Sequence, residues 1–306
     1  MFFRILLLLS FVVLLNFGFG CGKRQEVPVE DGKIKVSCLI APISWIATQI
    51  GGDYANCDSM IPDGENIHAY NPTPQEINRL QSADYYLLIG LPIEYKTISK
   101  VLKDSEVVIV DVTSNIKRRK ISGEENCDDC GHDHGHDHKA DEHEQFTDTH
   151  LWLSPPNNLK IAKAICDMLV KADPANEAQY QKNLTEFTLK INDVDNNLKQ
   201  QLAPLKGQKM MVYHPAFGYF SDYYGMIQTA VETGGKSPTP KQLENILNQI
   251  RNQRVKVILV QPQFPRHSAK AISAATGAKV ITVDPTHGNV LETYQKIANA
   301  LTEDVE

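Results

Sequence analysis

The segment ANEAQYQKNLTEFTLKINDVDNNLKQQLA, residues 175–203, decides the fold of this chain. Its apolar residues recur at alternating steps of three and four, the period of one face of an α-helix. They are Tyr180, Leu184, Phe187, Ile191, Val194, Leu198 and Leu202. At about 1.5 Å per residue the helix would reach roughly 40 Å, the width of a pair of domains. We therefore predict a helix that links two lobes.

Short apolar segments alternate with helical segments on both sides of this helix. The predicted strands are IKVSCLIAP, CDSMIP, YYLLIG and VVIVD before it, and KMMVYHP, MIQTAVE, VKVILVQ and AKVITVD after it. Such alternation is typical of parallel sheets with crossover helices. The predicted fold class is therefore α/β, with two lobes that each contain a roughly four-stranded parallel sheet and are joined by the long helix.

The predicted organisation has five parts. They are a signal peptide at residues 1–20, a lipidated linker at 21–33, an N-terminal lobe at 34–156 with a His-rich loop at 120–147, linking helices at 157–204, and a C-terminal lobe at 205–306.

The first 21 residues have the features of an export signal. Arg4 precedes a short apolar run at residues 5–15, which is shorter than the roughly 20 residues of a membrane-spanning helix. Cys21 follows, flanked by glycines, and this arrangement resembles the lipobox of bacterial lipoproteins. The resemblance implies cleavage before Cys21 and lipidation of its thiol; ordinary secretion or an uncleaved anchor are the alternatives. In each case we expect the protein to work outside the cytoplasm.

Composition narrows the classes of function. The 306 residues are 42% hydrophobic, which suits a globular protein with large cores, and the formal net charge is -6. Nucleic-acid partners demand basic surfaces, so we expect none. An acidic chain is compatible with cation binding.

Residues 127–150, CDDCGHDHGHDHKADEHEQFTDTH, hold six of the ten histidines. Imidazole, thiolate and carboxylate are the side chains that bind zinc and neighbouring metals. No hydrophobic period runs through the stretch, which predicts a metal-attracting loop rather than a core element. Its accessory metal ligands would be His132, His134, His136, His138 and His143. Cys127 and Cys130 would add zinc ligands, form a redox pair or close the loop as a disulfide.

Four isolated residues follow predicted strands. His68 lies in the loop after the second strand, and His150 lies beyond the fourth strand and the inserted tract. His214 ends the KMMVYH strand, and Asp284 ends AKVITVD. Ligands of open α/β sheets bind at the carboxyl edge, so the four side chains would converge between the lobes. Three imidazoles and a carboxylate suit tetrahedral Zn²⁺.

Six short segments around these residues also carry a resemblance to a known family. The chain resembles the zinc- and manganese-binding proteins that deliver metal to ABC-type importers, the cluster A-I solute-binding proteins. The matching segments are IPDGENIHAYNPTP, THLWLSP, VYHPAFGYF, QPQF, TGAKV and VDP, in family order from Ile34 onward. Jointly they are highly specific. The resemblance implies two α/β lobes, a rigid linking helix and a metal site in the interlobe cleft.

The resemblance assigns roles to individual residues. It implies His68, His150, His214 and Asp284 as metal ligands. From its position near His68 in the sequence, Glu65 would either support that ligand or compete with it. Manganese members generally carry glutamate at the third position, so His214 points to Zn²⁺. The implied function is the extracytoplasmic zinc-binding component of a high-affinity ABC importer, without catalysis. Its implied partner is a permease in the cytoplasmic membrane, and we expect a monomer held at the outer face of that membrane by its lipid.

Three alternatives stay open at this point. One is a manganese- or iron-binding homologue of the same transport family. The second is a zinc-dependent hydrolase, although the chain has neither an HExxH nor a serine-type motif. The third is a surface adhesin, for which the sequence offers no separate module.

The remaining cysteines carry two expectations. Cys38 and Cys57 fall in early strands and would either form a disulfide or be small core residues, while Cys166 lies on the apolar face of a helix and belongs to the core.

Overall fold

The computed structural model describes residues 32–62, 64–67, 69–121, 147–232, 239–252, 255–263 and 266–302. The strands are β1 (Ile34–Cys38), β2 (Ala55–Ser59), β3 (Tyr85–Leu88), β4 (Val108–Asp111), β5 (Lys209–Val212), β6 (Ile227–Ala230), β7 (Val257–Val260) and β8 (Lys279–Thr282). The helices are α1 (Ala41–Gly51), α2 (Pro74–Gln81), α3 (Ser99–Leu102, preceded by a π-helical turn at Glu94–Ile98), α4 (Pro155–Ala172), α5 (Glu177–Leu202), α6 (Gly218–Tyr223), α7 (Pro240–Asn252), α8 (Arg266–Thr276) and α9 (Val290–Thr302).

The strands form two sheets of four, with the orders β2-β1-β3-β4 and β6-β5-β7-β8. All strand pairs in both sheets are parallel. Parallel neighbours need crossover connections, and helices supply most of them here. The predicted α/β class with two four-stranded lobes is confirmed. All eight strand segments predicted from the sequence are present.

One helix in each lobe begins with the same type of N-terminal cap. Helix α2 begins with a capping box in which the Thr73 hydroxyl accepts from the Glu76 amide, and the Glu76 carboxylate accepts from the Thr73 amide at 2.7 Å. Helix α7 begins in the same way, since the amide of Thr239 donates to Gln242 Oε1 at 2.8 Å. A proline follows each threonine, at the position where its missing N–H is not needed.

The fourth strand of each sheet ends in an equivalent turn. Asp111 Oδ1 accepts from the amide and hydroxyl of Thr113 at 2.7 and 2.8 Å. Asp284 Oδ1 accepts from the amide and hydroxyl of Thr286 at 2.9 and 2.7 Å. In each turn the aspartate carboxylate thus supplies a hydrogen-bond acceptor for the residue two positions further along the chain. The equivalence places Asp284 at the carboxyl edge of its sheet.

Helix α5 is the linking helix, as predicted, and it contacts both lobes. Near its start, Asn183 donates to the Ile50 carbonyl of α1 at 2.9 Å, and the ring of Phe187 lies 5.9 Å from that of Trp45. Near its end, Gln201 donates to Asn299 and Thr302 of α9. One buried hydrophobic cluster runs continuously from the N-terminal sheet through α4 and α5 to α9, which makes the link rigid. The domain boundaries given above stay predictions.

The described cysteines carry free thiols. Cys38 is buried and donates to the carbonyl oxygens of Ile40 and Asp58, and Cys57 is largely buried beside it. Of the two alternatives for this pair, the structure has the unbridged one. Cys166 is fully buried in the core, as predicted. No helix in the described part of the chain is both long enough and apolar enough to cross a membrane.

Candidate metal centre

The C-terminal sheet places three polar side chains at its carboxyl edge. His214 follows β5, Glu232 follows β6 and Gln261 follows β7, and these three strands are neighbours in the sheet. Gln261 fixes the backbone of His214 from both sides, because its amide group donates to the His214 carbonyl at 3.1 Å and accepts from the His214 amide at 3.4 Å. The imidazole therefore projects from a backbone that cannot rotate freely.

Glu232 orients the His214 ring. Its amide donates to the Tyr213 carbonyl at 2.9 Å, which continues the ladder between β5 and β6 beyond the strands. Its Oε1 lies 3.1 Å from His214 Nδ1, and the carboxylate is buried. Since an ionised carboxylate only accepts hydrogen bonds, Nδ1 carries the proton of the neutral ring. The other nitrogen, Nε2, is then the one with the chemistry of a metal ligand.

His150 has a matching arrangement on the other side. Asp148 Oδ1 lies 2.9 Å from His150 Nδ1 and accepts from the His150 amide at 3.0 Å. His150 and Asp148 are both buried. The next three residues, Leu151 to Leu153, are completely buried and lead into α4, so the segment that carries His150 is held by the core.

The two imidazole rings pack edge-on against each other, with their centroids 5.4 Å apart and their planes at 73°. Each is held at Nδ1 by a buried carboxylate. A metal-ligating histidine usually donates its other nitrogen to a carboxylate, which fixes the tautomer and makes the ligand more basic. Both rings therefore have the Nδ1 partner that is typical of a metal-ligating histidine.

Burial and hydrogen bonding set the charges of these groups. Burial lowers the pKa of His214 below its ordinary value, against the hydrogen bond of Glu232, which raises it. Burial alone would raise the pKa of Asp148, but hydrogen bonds from His150 and Arg119 outweigh it and hold that pKa below its usual value. The site thus keeps a neutral imidazole at His214 and an ionised carboxylate at Asp148, the states that metal binding uses.

The His150 segment is also fastened to the C-terminal part of the chain. The indole of Trp152 donates to the Pro285 carbonyl at 2.6 Å, and the Tyr294 hydroxyl donates to the Trp152 carbonyl at 2.7 Å. Asn158 completes this buried network by donating to Trp152 O and to Tyr294 Oη. Pro285 directly follows Asp284, so these bonds hold the Asp284 turn near the segment of His150.

Asp284 itself is committed to its turn through one oxygen. Oδ1 accepts from Thr286 and, at 3.3 Å, from the amide group of Gln263. Within the residues that the structure describes, no group of three or more His, Cys, Asp and Glu side chains is placed to hold a metal ion. The four-ligand set therefore stays a prediction, of which the structure brings His150 and His214 together.

Several predicted site residues lie outside the described residues. They are His68, Cys21, Cys127, Cys130 and the accessory histidines His132, His134, His136, His138 and His143. Glu65 is described and exposed; its supporting role toward His68 stays a prediction.

Sequence reasoning missed the carboxylates behind the two histidines. A signal existed for Asp148, because an acid two residues before a candidate ligand in DTH is placed to reach its ring. Glu232 follows the neighbouring strand of the sheet, and the sequence patterns predict strands but not the strand order that makes these two neighbours. Gln261 and Arg119 carry no local signal, since their roles depend on contacts between distant segments.

Comparison with known proteins relates most of the chain to one protein family. A family model described as "Zinc-uptake complex component A periplasmic" matches residues 36–306. The high-affinity zinc uptake system protein ZnuA of Yersinia pestis is 26% identical over 287 residues, covering 90% of each chain. A metal ABC transporter substrate-binding lipoprotein of Lactococcus lactis is 25% identical over 287 residues, covering 90% of this chain and 86% of its own.

Solved structures support the same relationship. The crystal structure of a ZnuA deletion mutant with zinc bound superposes with a TM-score of 0.76 at 27% identity. The match covers 88% of this chain and 98% of the other. The likeness therefore extends over both sheets and the linking helix.

Proposed function

This chain belongs to the zinc-uptake complex component A family, and we propose that it is the extracytoplasmic zinc-binding component of an ABC-type importer. It would bind Zn²⁺ between its two lobes and deliver the ion to a permease in the cytoplasmic membrane. The observation that carries the proposal is the contact between His150 and His214, whose ring centroids are 5.4 Å apart and whose Nδ1 atoms are each held by a buried carboxylate.

We propose His68, His150, His214 and Asp284 as the ligands of the transported ion. Three observations support this set. His150 and His214 are in ring contact, Pro285 beside Asp284 accepts from the indole of Trp152, and His68 lies between β2 and α2 in the sequence. Three neutral imidazoles and one carboxylate are a ligand set for tetrahedral zinc. Imidazole in place of an oxygen ligand disfavours the harder Mn²⁺, which supports zinc over a manganese-binding homologue.

The binding role is proposed without catalysis. A hydrolytic zinc site keeps one coordination position for water and needs a base to activate it. Four protein ligands would fill the tetrahedron. The two buried carboxylates nearest the rings, Asp148 and Glu232, are hydrogen-bonded to the histidines. They therefore serve to orient ligands rather than to take a proton from water.

The cellular setting is proposed from the chain start and the relatives. Cys21 after a short apolar run supports a lipid anchor, and one relative carries the name of a lipoprotein. The protein would act as a monomer at the outer face of the membrane. The tract at residues 120–147 would collect zinc near the cleft through its five accessory histidines.

A zinc titration against a chelating competitor tests the proposal. The purified protein should show one tight site together with weaker ones. His68→Ala, His150→Ala and His214→Ala should each abolish the tight site, because loss of one imidazole leaves an incomplete first shell. Unchanged tight binding in both the His150 and the His214 variants would reject the assignment. Mn²⁺ competing as well as Zn²⁺ would favour the manganese alternative.

A further inference from the structure

Arg119 occupies the point where the N-terminal part of the chain meets α6. Its Nη1 donates to Asp148 Oδ2 at 2.7 Å, and its Nε donates to Asp222 Oδ2 at 2.8 Å. Asp148 in turn uses its other oxygen for the ring of His150. One guanidinium is thus joined through a single carboxylate to a proposed ligand.

The two arms of Arg119 differ in environment. The side chain of Asp148 is completely buried, whereas that of Asp222 is 57% exposed. An exposed ion pair contributes little, so the Asp222 arm mainly orients the guanidinium. The Asp148 arm neutralises a buried charge, and removing one partner of such a pair leaves the other uncompensated.

Helix α6 is shaped to admit this contact. A Cβ on Gly218 would overlap the Arg119 guanidinium and come within 2.6 Å of Asp148 Oδ2. The next residue, Tyr219, accepts from the Arg119 amide at 3.0 Å and donates to the Asp148 carbonyl at 3.1 Å. Glycine at 218 therefore leaves the space in which the ion pair forms, and Tyr219 fixes the backbones on either side of it.

We propose that Arg119 is a positioning residue for metal binding: it holds Asp148 so that Asp148 fixes the orientation and tautomer of His150. This inference rests on the proposed function, since it assigns a role at the same site. A carboxylate with a single partner can turn about its bonds, whereas Asp148 is held at both oxygens and at its backbone. The precision of His150 then depends on a residue that touches no metal.

The neighbouring arginine supplies a matched control. Arg118 donates to the Ile89 carbonyl and to the Thr113 hydroxyl, both at 2.9 Å. These partners belong to the N-terminal lobe and lie outside the Asp148–His150 pair. Arg118→Gln therefore removes the same charge and a comparable number of hydrogen bonds without affecting His150.

The test compares zinc affinity and the visible absorption spectrum of bound Co²⁺ in four variants. Arg119→Gln should weaken zinc binding about 10- to 100-fold, the usual effect of losing a partner behind a ligand, and should alter the Co²⁺ spectrum. Arg119→Lys should restore much of both, because it keeps a cation beside Asp148. Gly218→Ala should reproduce the loss by displacing the guanidinium, and Arg118→Gln should leave affinity and spectrum unchanged.

Distinct outcomes separate the possible failures. Wild-type affinity and spectrum in folded Arg119→Gln or Gly218→Ala would overturn the positioning role. An equal loss of affinity in Arg118→Gln would also overturn it, because the effect would then be one of general stability. If Arg119→Gln does not fold, Gly218→Ala still decides the question. Failure of the wild-type protein to bind zinc tightly would reject the proposed function instead.

Discussion

The ring centroids of His150 and His214 lie 5.4 Å apart, although the two residues precede and follow the linking helix in the chain. Their approach depends on contacts that cross between lobes, including Trp152 with Pro285 and Tyr294 with Trp152. Because these bonds are buried, they are strong relative to solvent-exposed ones and cannot be exchanged for water. The rigidity of the pair is thus built into the fold, and the carboxylates behind the rings refine it.

Glu232→Gln should weaken the tight zinc site about 10- to 100-fold while leaving the fold intact. The amide keeps the shape of the side chain but lowers the basicity that the carboxylate gives His214 through the 3.1 Å contact. Chelator competition measures the affinity, and circular dichroism checks the fold.

Glu292→Gln is the matched control for this change. Glu292 makes a similar contact with His287, at 3.2 Å, but both side chains are exposed. Zinc affinity should be unchanged in that variant. Equal affinities for the Glu232 and Glu292 variants would contradict the orienting role of Glu232.

Much of the fold was predictable because it depends on local periodicity. Steps of three and four located α5, and short apolar segments between glycines and prolines located every strand. The order of strands within each sheet was not predictable from those patterns. Neighbours such as β5 and β6 are set by packing of crossover helices, and the position of Glu232 behind His214 follows from that packing.

Within the candidate site, only the proposed metal ligands were predictable from the sequence. His150 and His214 stood out because a histidine beyond the carboxyl end of a strand lies at the sheet edge where ligands bind. Arg119 and Gln261 act through long-range contacts with partners that no sequence spacing indicates. Residues that hold a ligand in place without binding the metal can be recognised only in the tertiary structure.

Replacing residues 121–146 by Asn-Gly should lower the number of bound zinc ions and leave the tight site in place. Lys120 and Thr147 are antiparallel bridge partners, and the Asp148 amide donates to the Arg119 carbonyl at 2.9 Å. A two-residue type I′ turn can join such a pair without strain. The excised segment carries all five proposed accessory histidines.

Zinc stoichiometry and affinity measured on this deletion variant test whether the tract binds additional zinc without contributing to the tight site. Loss of the tight site would mean that the tract contains a primary ligand. An unchanged number of bound ions would mean that the tract does not collect zinc. A second variant, in which the five histidines are replaced by Asn in the full-length chain, should give the same result as the deletion.

Glu94 should make the protein less stable as pH rises from about 4.5 to 7. Its carboxyl group is buried, and burial raises its pKa from 4.5 to about 7 against hydrogen bonds from Leu91, Tyr86 and Ile89. Between these values the folded chain holds a proton that the unfolded chain has lost. The stabilisation is therefore complete below the lower value and lost by the upper one, amounting to about 3 kcal/mol.

Urea unfolding of wild type and Glu94→Gln at pH 4.5 and pH 8 measures this effect. The variant cannot ionise at that position, so the difference between the two proteins should shift by about 3 kcal/mol toward the variant at pH 8. Glu106→Gln, at an exposed position, should differ from wild type by less than about 0.5 kcal/mol at both values. A constant difference for Glu94→Gln would contradict the assignment.

Phe187→Ala should destabilise the protein by about 3–5 kcal/mol, since Phe187 is almost completely buried where α5 packs against α1. Leu189, two residues along the same helix, is 64% exposed, and Leu189→Ala should change the free energy of unfolding by less than about 0.5 kcal/mol. Alanine has the highest helix propensity, so a loss of stability in either variant comes from lost packing and not from helix propensity. Because α5 contacts both lobes, thermal unfolding of Phe187→Ala should remain a single transition at a lower temperature. Two separate transitions would show that the lobes unfold independently and that the helix does not couple them.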